Sequence, residues 1–394
     1  MCSKTLFTGL ILCLGVLSAG FLTQEPVTVV TEAQLTIQLR WTKTIPNEEW
    51  KHMRKGLIWG MSHLGAQLQA GSFDSAVQMI EPNVFSLNLM ALGFPVSAHQ
   101  PLAGILDSLK KTDEYQRFRG IDLGRFMVLT VHSPAHYYRI TGAEENIKTF
   151  KRKYKFKKNE RSFAVVHSSV AIGNRLIRYV PSKNPLEMAF LAEEGIGDLE
   201  RGNFKKEETE VIAIMPNGQF RFAIYNEDGH LVSATSTALG IAGKPGNCMW
   251  CHESATNILR EFTPEVKGYV TKQTFVNDMS LLQADIEAWR NQFKLDLDYR
   301  GLNDHSTHEL YYISFMEPSA QRLAKEWEMP ISQVQTLLAG LPTHKNKEFN
   351  FLGELYDRAD VDARSPFPVT VVPSSVREYA EYEPDFLGVL LKRD

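Results

Sequence analysis

The sequence predicts an α+β chain in which a β-rich, antiparallel segment is flanked by N-terminal and C-terminal helical regions. Three stretches carry that prediction. Leu102, Ile105, Leu106 and Leu109 recur at helical spacing before a charged run from Lys110 to Arg117. Phe220, Phe222 and Ile224 alternate with polar residues between Pro216-Asn217-Gly218 and Glu227-Asp228-Gly229, the pattern of a β meander with one buried face. On the C-terminal side Leu282, Ile286, Trp289 and Phe293 again follow a helical period. With 43% hydrophobic and 10% aromatic residues, the composition excludes disordered, collagen-like and coiled-coil chains. A balance of 43 Lys+Arg against 46 Asp+Glu, net −3, argues against a dedicated nucleic-acid binder.

The N-terminus bears on compartment. Lys4 precedes an uncharged stretch from Thr5 to Gln24, rich in leucine and closing on Ser18, Ala19 and Gly20. A positive start, an apolar middle and a small-residue end are the layout of a secretory signal peptide, so residues 1–20 are expected to be removed near Gly20 and the protein to be periplasmic or otherwise exported. Membrane association is expected only if this segment stays uncleaved, since the uncharged run approaches the length that spans a bilayer. Cys2 and Cys13 would leave with the leader, so only Cys248 and Cys251 remain in the mature chain.

Residues 21–120 read as mainly helical, with the clearest helix expected to start at Pro101. From 121 to 265 strands are expected: Phe126 to Val131, Phe163 to His167, Leu176 to Val180, Val211 to Met215 and the two further strands of the meander. Lys148 to Arg161 holds eight basic residues, with Lys151, Lys153, Lys155 and Lys157 alternating against Tyr154 and Phe156. As a strand it would show one basic face, either a solvated hairpin or a surface for an acidic partner. A Gly-rich loop over residues 234–247 leads to the cysteines. Residues 266–394 are expected to begin with a helix capped by Asn277 or Asp278 and to end in an extended tail marked by Pro366, Pro368 and Pro373.

The chemistry concentrates in Cys248-Met249-Trp250-Cys251-His252, a C-x-x-C-H run. Two thiols at this spacing can form thioether bonds to the two vinyl groups of a haem, and the adjacent histidine then reaches the iron from one side. At this motif the chain resembles the c-type cytochromes. The resemblance implies one covalent haem c, attachment at Cys248 and Cys251, His252 as proximal iron ligand, and a redox partner protein. Two other readings of the pair are open: a zinc site completed by His305 and His308, and a dithiol redox pair.

The far side of the iron separates an electron carrier, which has a second strong protein ligand, from a protein with an open iron. Met329-Pro330 offers a distal Met candidate, but it lies in Ala320 to Leu338, whose pattern reads as two short helices, where core packing competes. Met279, Met316 and His230 are weaker candidates. The helical pair only superficially resembles a DNA-binding helix-turn-helix. His132 and His136 flank Pro134 and read as part of a turn rather than as metal ligands.

A second resemblance covers residues 165–265. A sheet-rich segment, then C-x-x-C-H, then Phe262-Thr263 is similar to the β-rich cytochromes whose haem is cross-linked to a lysine. Lys205 and Lys206 lie upstream on the approach to the meander. That family implies an open distal face and includes hydroxylamine-oxidising and nitric-oxide-related members. Electron transfer is the leading expectation, with a haem oxidoreductase or gas sensor acting on a small nitrogen or oxygen species as the alternative.

Overall fold

The computed structural model describes residues 29–44, 47–168, 170–240, 243–252, 255, 264–299 and 302–372. The expected leader, Phe262-Thr263 and Pro373 lie outside the described residues. Within them the fold is α+β, with fourteen α-helices and two sheets.

The first sheet combines β1 (Thr36–Arg40), β2 (Val77–Glu81), β3 (Val84–Asn88) and β4 (Ile121–Asp122) in the order β2-β3-β1-β4, antiparallel except for β1 against β4. It stands among the helices expected of the N-terminal region. Its strands are too short for periodicity to separate them from interrupted helix. The helix expected from Pro101 runs instead over Val96–Lys110, with Pro95 as its N-cap and Pro101 inside it. Its buried face is the expected one, Leu102, Ile105, Leu106 and Leu109.

Two expected strands are helical. Phe126 to Val131 falls mostly in the helix Leu123–Thr130, whose N-cap Asp122 accepts a hydrogen bond from the Gly124 backbone N–H at 2.8 Å. Every residue of that helix is buried, so it lacks the polar face that would have revealed its period. The basic stretch forms the helices Ile147–Lys153 and Phe156–Asn159, separated by Lys155 at φ 55°. Phe150, Tyr154 and Phe156 are buried and the lysines ring the outside. Alternation over a few residues there came from a helix-turn-helix bend, not a pleat.

The second sheet is a five-stranded antiparallel meander in chain order: β5 (Arg161–Val165), β6 (Arg175–Val180), β7 (Ala189–Ile196), β8 (Lys205–Ile214) and β9 (Phe220–Tyr225). The Pro216-Asn217-Gly218 turn joins β8 to β9, with Gly218 at φ 82° as a tight hairpin requires. Asn217 ties this turn to the N-terminal region by donating to the Ser62 and Ala66 carbonyls, both at 2.8 Å. The strand expected after Gly229 shrinks to two isolated bridges, His230 with Asn146 and Leu231 with Tyr225.

This sheet is covered on both sides. Arg221 on one face pairs with Glu144 at 2.6 Å, and Glu193 on the same face with Lys151 at 2.8 Å, which docks the Pro134–Thr141 and Ile147–Lys153 helices there. Phe163 and Tyr179 point the other way, onto Phe275 of the helix Lys272–Arg290, which Thr271 caps. Leu282 and Ile286 of that helix are buried as expected.

The remaining described helices include Leu302–Met316, Ala320–Glu326, Ile331–Leu337 and Arg358–Asp362. The Ala320 to Leu338 pair is therefore as read from the sequence. It anchors a second, smaller apolar cluster of Leu323, Trp327, Val334, Leu338 and Val361. Between the two clusters lies a buried ionic layer. Arg125 meets Glu114 at 2.9 Å and Asp362 at 3.3 Å; Arg358 meets Glu326 at 2.8 Å; Arg322 meets Asp122 at 2.6 Å. The Phe315 ring sits among these guanidinium groups, the nearest, Arg358, at 3.8 Å from its centroid.

Candidate cofactor-attachment site

The C-x-x-C-H run begins on the short helix Pro245–Cys251, entered from an extended Lys244, with proline at its first position. The Gly-rich loop before it is pinned at both ends. Thr235 and Gly243 exchange hydrogen bonds of 3.0 and 2.9 Å, and the Ile172 N–H donates to the Leu239 carbonyl at 2.7 Å. Met249 is fully buried and fixes the helix to the main core. Three residues apart on a helix, Cys248 and Cys251 share a face; Cys248 is half-buried, Cys251 is exposed, and no disulfide joins them.

His252 ends the helix, its backbone N–H bonded to the Cys248 carbonyl at 2.9 Å. Its ring lies 6.0 Å from that of Phe222 on β9, and its Nδ1 faces the Ala255 carbonyl at 3.4 Å. Burial pushes its pKa down to about 4, with Arg175 adding to the shift and the Ala255 carbonyl opposing it. The imidazole is therefore neutral at neutral pH. With Nδ1–H directed at Ala255, Nε2 carries the lone pair that a metal needs. Burial likewise raises the Cys248 thiol well above its ordinary value, with Glu210 and Cys251 acting in the same direction. A thiol so raised is a poor attacking group for disulfide exchange, which weighs against a dithiol redox pair.

Facing this helix, the sheet carries a group that the sequence reading missed. Arg175 on β6, Glu194 on β7, and Glu208 and Glu210 on β8 project from one face, as their cross-strand register requires. Arg175 Nη2 lies 2.6 Å from Glu194 Oε1 and also donates to Glu210 Oε2. The Ser236 backbone N–H donates to Glu208 Oε2 at 2.9 Å. Ligand oxygens of the three glutamates lie within 4.8 Å of one another, and Glu194 is 1% exposed. A Cβ on Gly240 would stand 2.9 Å from the Val170 backbone carbonyl and 2.8 Å from Glu194 Oε2, so glycine lets the loop close here beside that carboxyl. Burial and the two neighbouring glutamates, against the pull of Arg175, raise Glu194 to about 8. The sequence signal was the alternation of Glu208, Thr209, Glu210 and Val211, which extends the meander upstream of the point where hydrophobic residues made it visible.

The other candidates lie elsewhere. Met329 packs into the second apolar cluster with Ala324 and Leu337, a packing role rather than a ligand role. Met279 and Met316 are buried in the main core, and His230 is exposed, in a bridge to Asn146. His308 bonds to His132 through facing Nε2 atoms 2.9 Å apart and to the Gly56 carbonyl through Nδ1 at 3.0 Å. Because Gly56 can only accept, His308 carries its proton on Nδ1, so His132 donates from Nε2 and its Nδ1 is bare. His136 bonds to the Leu129 carbonyl from the first turn of its helix. Among the described residues no group of converging metal-binding side chains unites the cysteines with His305 and His308, so the zinc alternative is not assembled. The basic helices lie across the five-stranded sheet from the cysteines.

Trp250, between the cysteines, places its ring 5.9 Å from Tyr312 and 6.2 Å from His132. The residues present thus meet what covalent haem attachment asks of a chain: two reduced thiols one helical turn apart, one of them open to solvent, beside a neutral and oriented imidazole. No protein-family model, curated protein or solved structure matches this chain.

Proposed function

We propose that this chain is an exported, single-haem c-type cytochrome-like protein that transfers electrons to or from a partner protein. Cys248 and Cys251 would hold the haem covalently and His252 would ligate its iron, while the group supplies a one-electron couple. The observation that carries this reading is the pairing of the two thiols with a neutral His252 whose Nδ1 is already engaged. Exposure of Cys251 supports a carrier, because an attachment point at the surface leaves a cofactor edge within reach of a docking partner.

A second reading, an open iron acting on or sensing a small nitrogen or oxygen species, is favoured by the polar face opposite the cysteine helix. Clustered buried glutamates are costly in a simple carrier and useful where protons move. The test of the shared core is the mass of the peptide containing Cys248 and Cys251 from cells competent to mature cytochromes c: a haem adduct supports it and an unmodified peptide removes it. The spectrum of the reduced protein with and without carbon monoxide then divides the two readings. An unchanged low-spin spectrum supports the carrier, and a shifted one supports the open iron.

A further inference from the structure

Three imidazoles from distant parts of the chain are buried together behind the cysteine helix, and the haem reading uses none of them. His63 closes the helix Trp50–His63, His132 stands in the bend between Leu123–Thr130 and Pro134–Thr141, and His308 projects from Leu302–Met316. They are 0%, 1% and 0% exposed. The His132 and His308 Nε2 atoms face each other at 2.9 Å, while His308 Nδ1 is engaged by the Gly56 carbonyl at 3.0 Å. The His63 ring packs 4.2 Å from Trp59, which in turn packs 4.8 Å from His308. Among the described residues neither His63 nitrogen has a hydrogen-bond partner, and His132 Nδ1 has none either. Such orphaned groups are costly in a core, and a bound ion is one way the cost is removed.

The geometry and the charge state both suit a metal. Nitrogens bonded to one zinc ion at about 2.0–2.1 Å, at right-angled to tetrahedral angles, stand about 2.8–3.4 Å apart, and the facing Nε2 atoms fall in that range. A ring whose Nδ1–H is held by a backbone carbonyl is oriented to ligate through Nε2, as His308 is. Burial, with neighbouring histidines adding to it, lowers all three rings, His308 to about 4, so they are neutral at neutral pH. The pair is also held in place: Tyr312 stacks on His132 at 3.9 Å, and a Cβ on Gly60 would stand 2.7 Å from His308 Cε1. We propose that His132 and His308, joined by His63, bind a transition-metal cation that favours imidazole, Zn²⁺ or Cu⁺. His132 ligates through Nε2 by carrying its one ring hydrogen on Nδ1 instead, so no net proton is released. His63, with neither nitrogen held, turns its ring to supply the third donor. Bound there, the ion ties the N-terminal helix to the helix Leu302–Met316 behind Trp250, whose ring is 6.2 Å from His132. The proposal is independent of the haem reading.

The experiment measures zinc and copper in the purified full chain, then, after chelation, titrates Zn²⁺, or Cu⁺ under reductant, into wild type and variants. Wild type should take up one equivalent of one of the two metals, and its melting temperature should rise with added metal. The Cys248→Ser, Cys251→Ser double variant, which cannot bind metal through thiols, should bind as wild type does. Loss of a ligand costs more than the 10–100-fold typical of an outer-shell change, so His132→Gln and His308→Gln should each weaken binding more than about 100-fold. His63→Gln should weaken it as well, and His230→Gln, at an exposed histidine, should not. X-ray absorption of the zinc-loaded chain should show nitrogen at about 2.0–2.1 Å, where cysteine ligation would show sulfur at about 2.3 Å. Should the histidine variants fail to fold, the stoichiometry and the scattering shell of the double cysteine variant decide the matter. No saturable binding of either metal, a sulfur shell, binding lost with the cysteines, or undiminished affinity in His308→Gln overturns the proposal. An unmodified cysteine peptide would sink the haem reading and leave this titration standing.

Discussion

Two buried ionic groups in this molecule are made of the same residue types and balanced in opposite ways. Between the apolar clusters, Arg125, Arg322 and Arg358 face Asp122, Glu326, Asp362 and Glu114. Glu114 sits 2.9 Å from Arg125, yet burial outweighs that attraction and raises it to about 7. Three guanidinium groups here share four carboxyl groups, and the three arginines hold Glu326 down to about 2. Beside the cysteines, Arg175 is shared by Glu194 and Glu210, and Glu194 rises to about 8. The first arrangement fits a layer that fixes how the C-terminal helices dock. The second retains a titratable proton where the proposed cofactor would bind.

The largest expected effect comes from breaking the balanced layer. Arg358→Met leaves Glu326 without its closest cation, and loss of one partner from a buried ion pair costs about 3–5 kcal/mol. Urea unfolding should show that loss at neutral pH. A cost under about 1 kcal/mol would mean the layer contributes little more than an apolar contact.

The second prediction separates the two groups by pH. Glu326, with its folded pKa below the ordinary carboxylate value, contributes stability that is present above that value and lost as pH falls toward about 2. Glu194 acts in the opposite sense. Between the ordinary carboxylate value and about 8 the folded chain keeps a proton that the unfolded chain has released, so stability falls as pH rises through that window. Glu194→Gln should remove that fall between the ordinary carboxylate value and about 8 and leave the acid arm alone. A mutant profile parallel to wild type through that window would show that Glu194 stays ionised when folded.

A smaller effect is expected where the cysteine helix rests on the histidine pair. A Cβ at Gly246 would stand 2.6 Å from His132 Nδ1. Gly246→Ala must therefore shift the helix or the His132–His308 pair, at about 1–3 kcal/mol. Thermal unfolding measures the cost, and a drop in the fraction of chains with haem attached would tie it to the helix. Wild-type values for both would mean the helix has room to move.

What could be read from the sequence follows from where the signal was local. The C-x-x-C-H run, the Pro216-Asn217-Gly218 turn and the amphipathic helix around Leu282 and Ile286 each declare themselves within a few residues. Leu123–Thr130 did not, because a helix buried on all sides loses its period, and the four-stranded sheet did not, because it pairs β1 with strands distant in sequence. The glutamate cluster was hidden for a related reason. Arg175, Glu194 and Glu210 come from three strands, and only their register brings them to one face. Periodicity reveals which side of an element is buried, and it is silent on which elements meet there.

The smallest effect expected is at Met329, the position where the sequence allowed both a ligand and a packing role. Its neighbours Ala324 and Leu337 and the Leu323, Trp327 and Val334 cluster form an apolar setting that leucine fills almost as well. Met329→Leu should cost less than about 1.5 kcal/mol, as volume-conserving core exchanges do. Because leucine has no lone pair to give iron, the same variant also reads out ligation. The structure places this side chain behind the balanced ionic layer, so the spectrum of the reduced, haem-loaded protein should be unchanged. Conversion from low to high spin would instead show that the thioether reaches the iron, and that the ionic layer between the two clusters opens when the cofactor is bound.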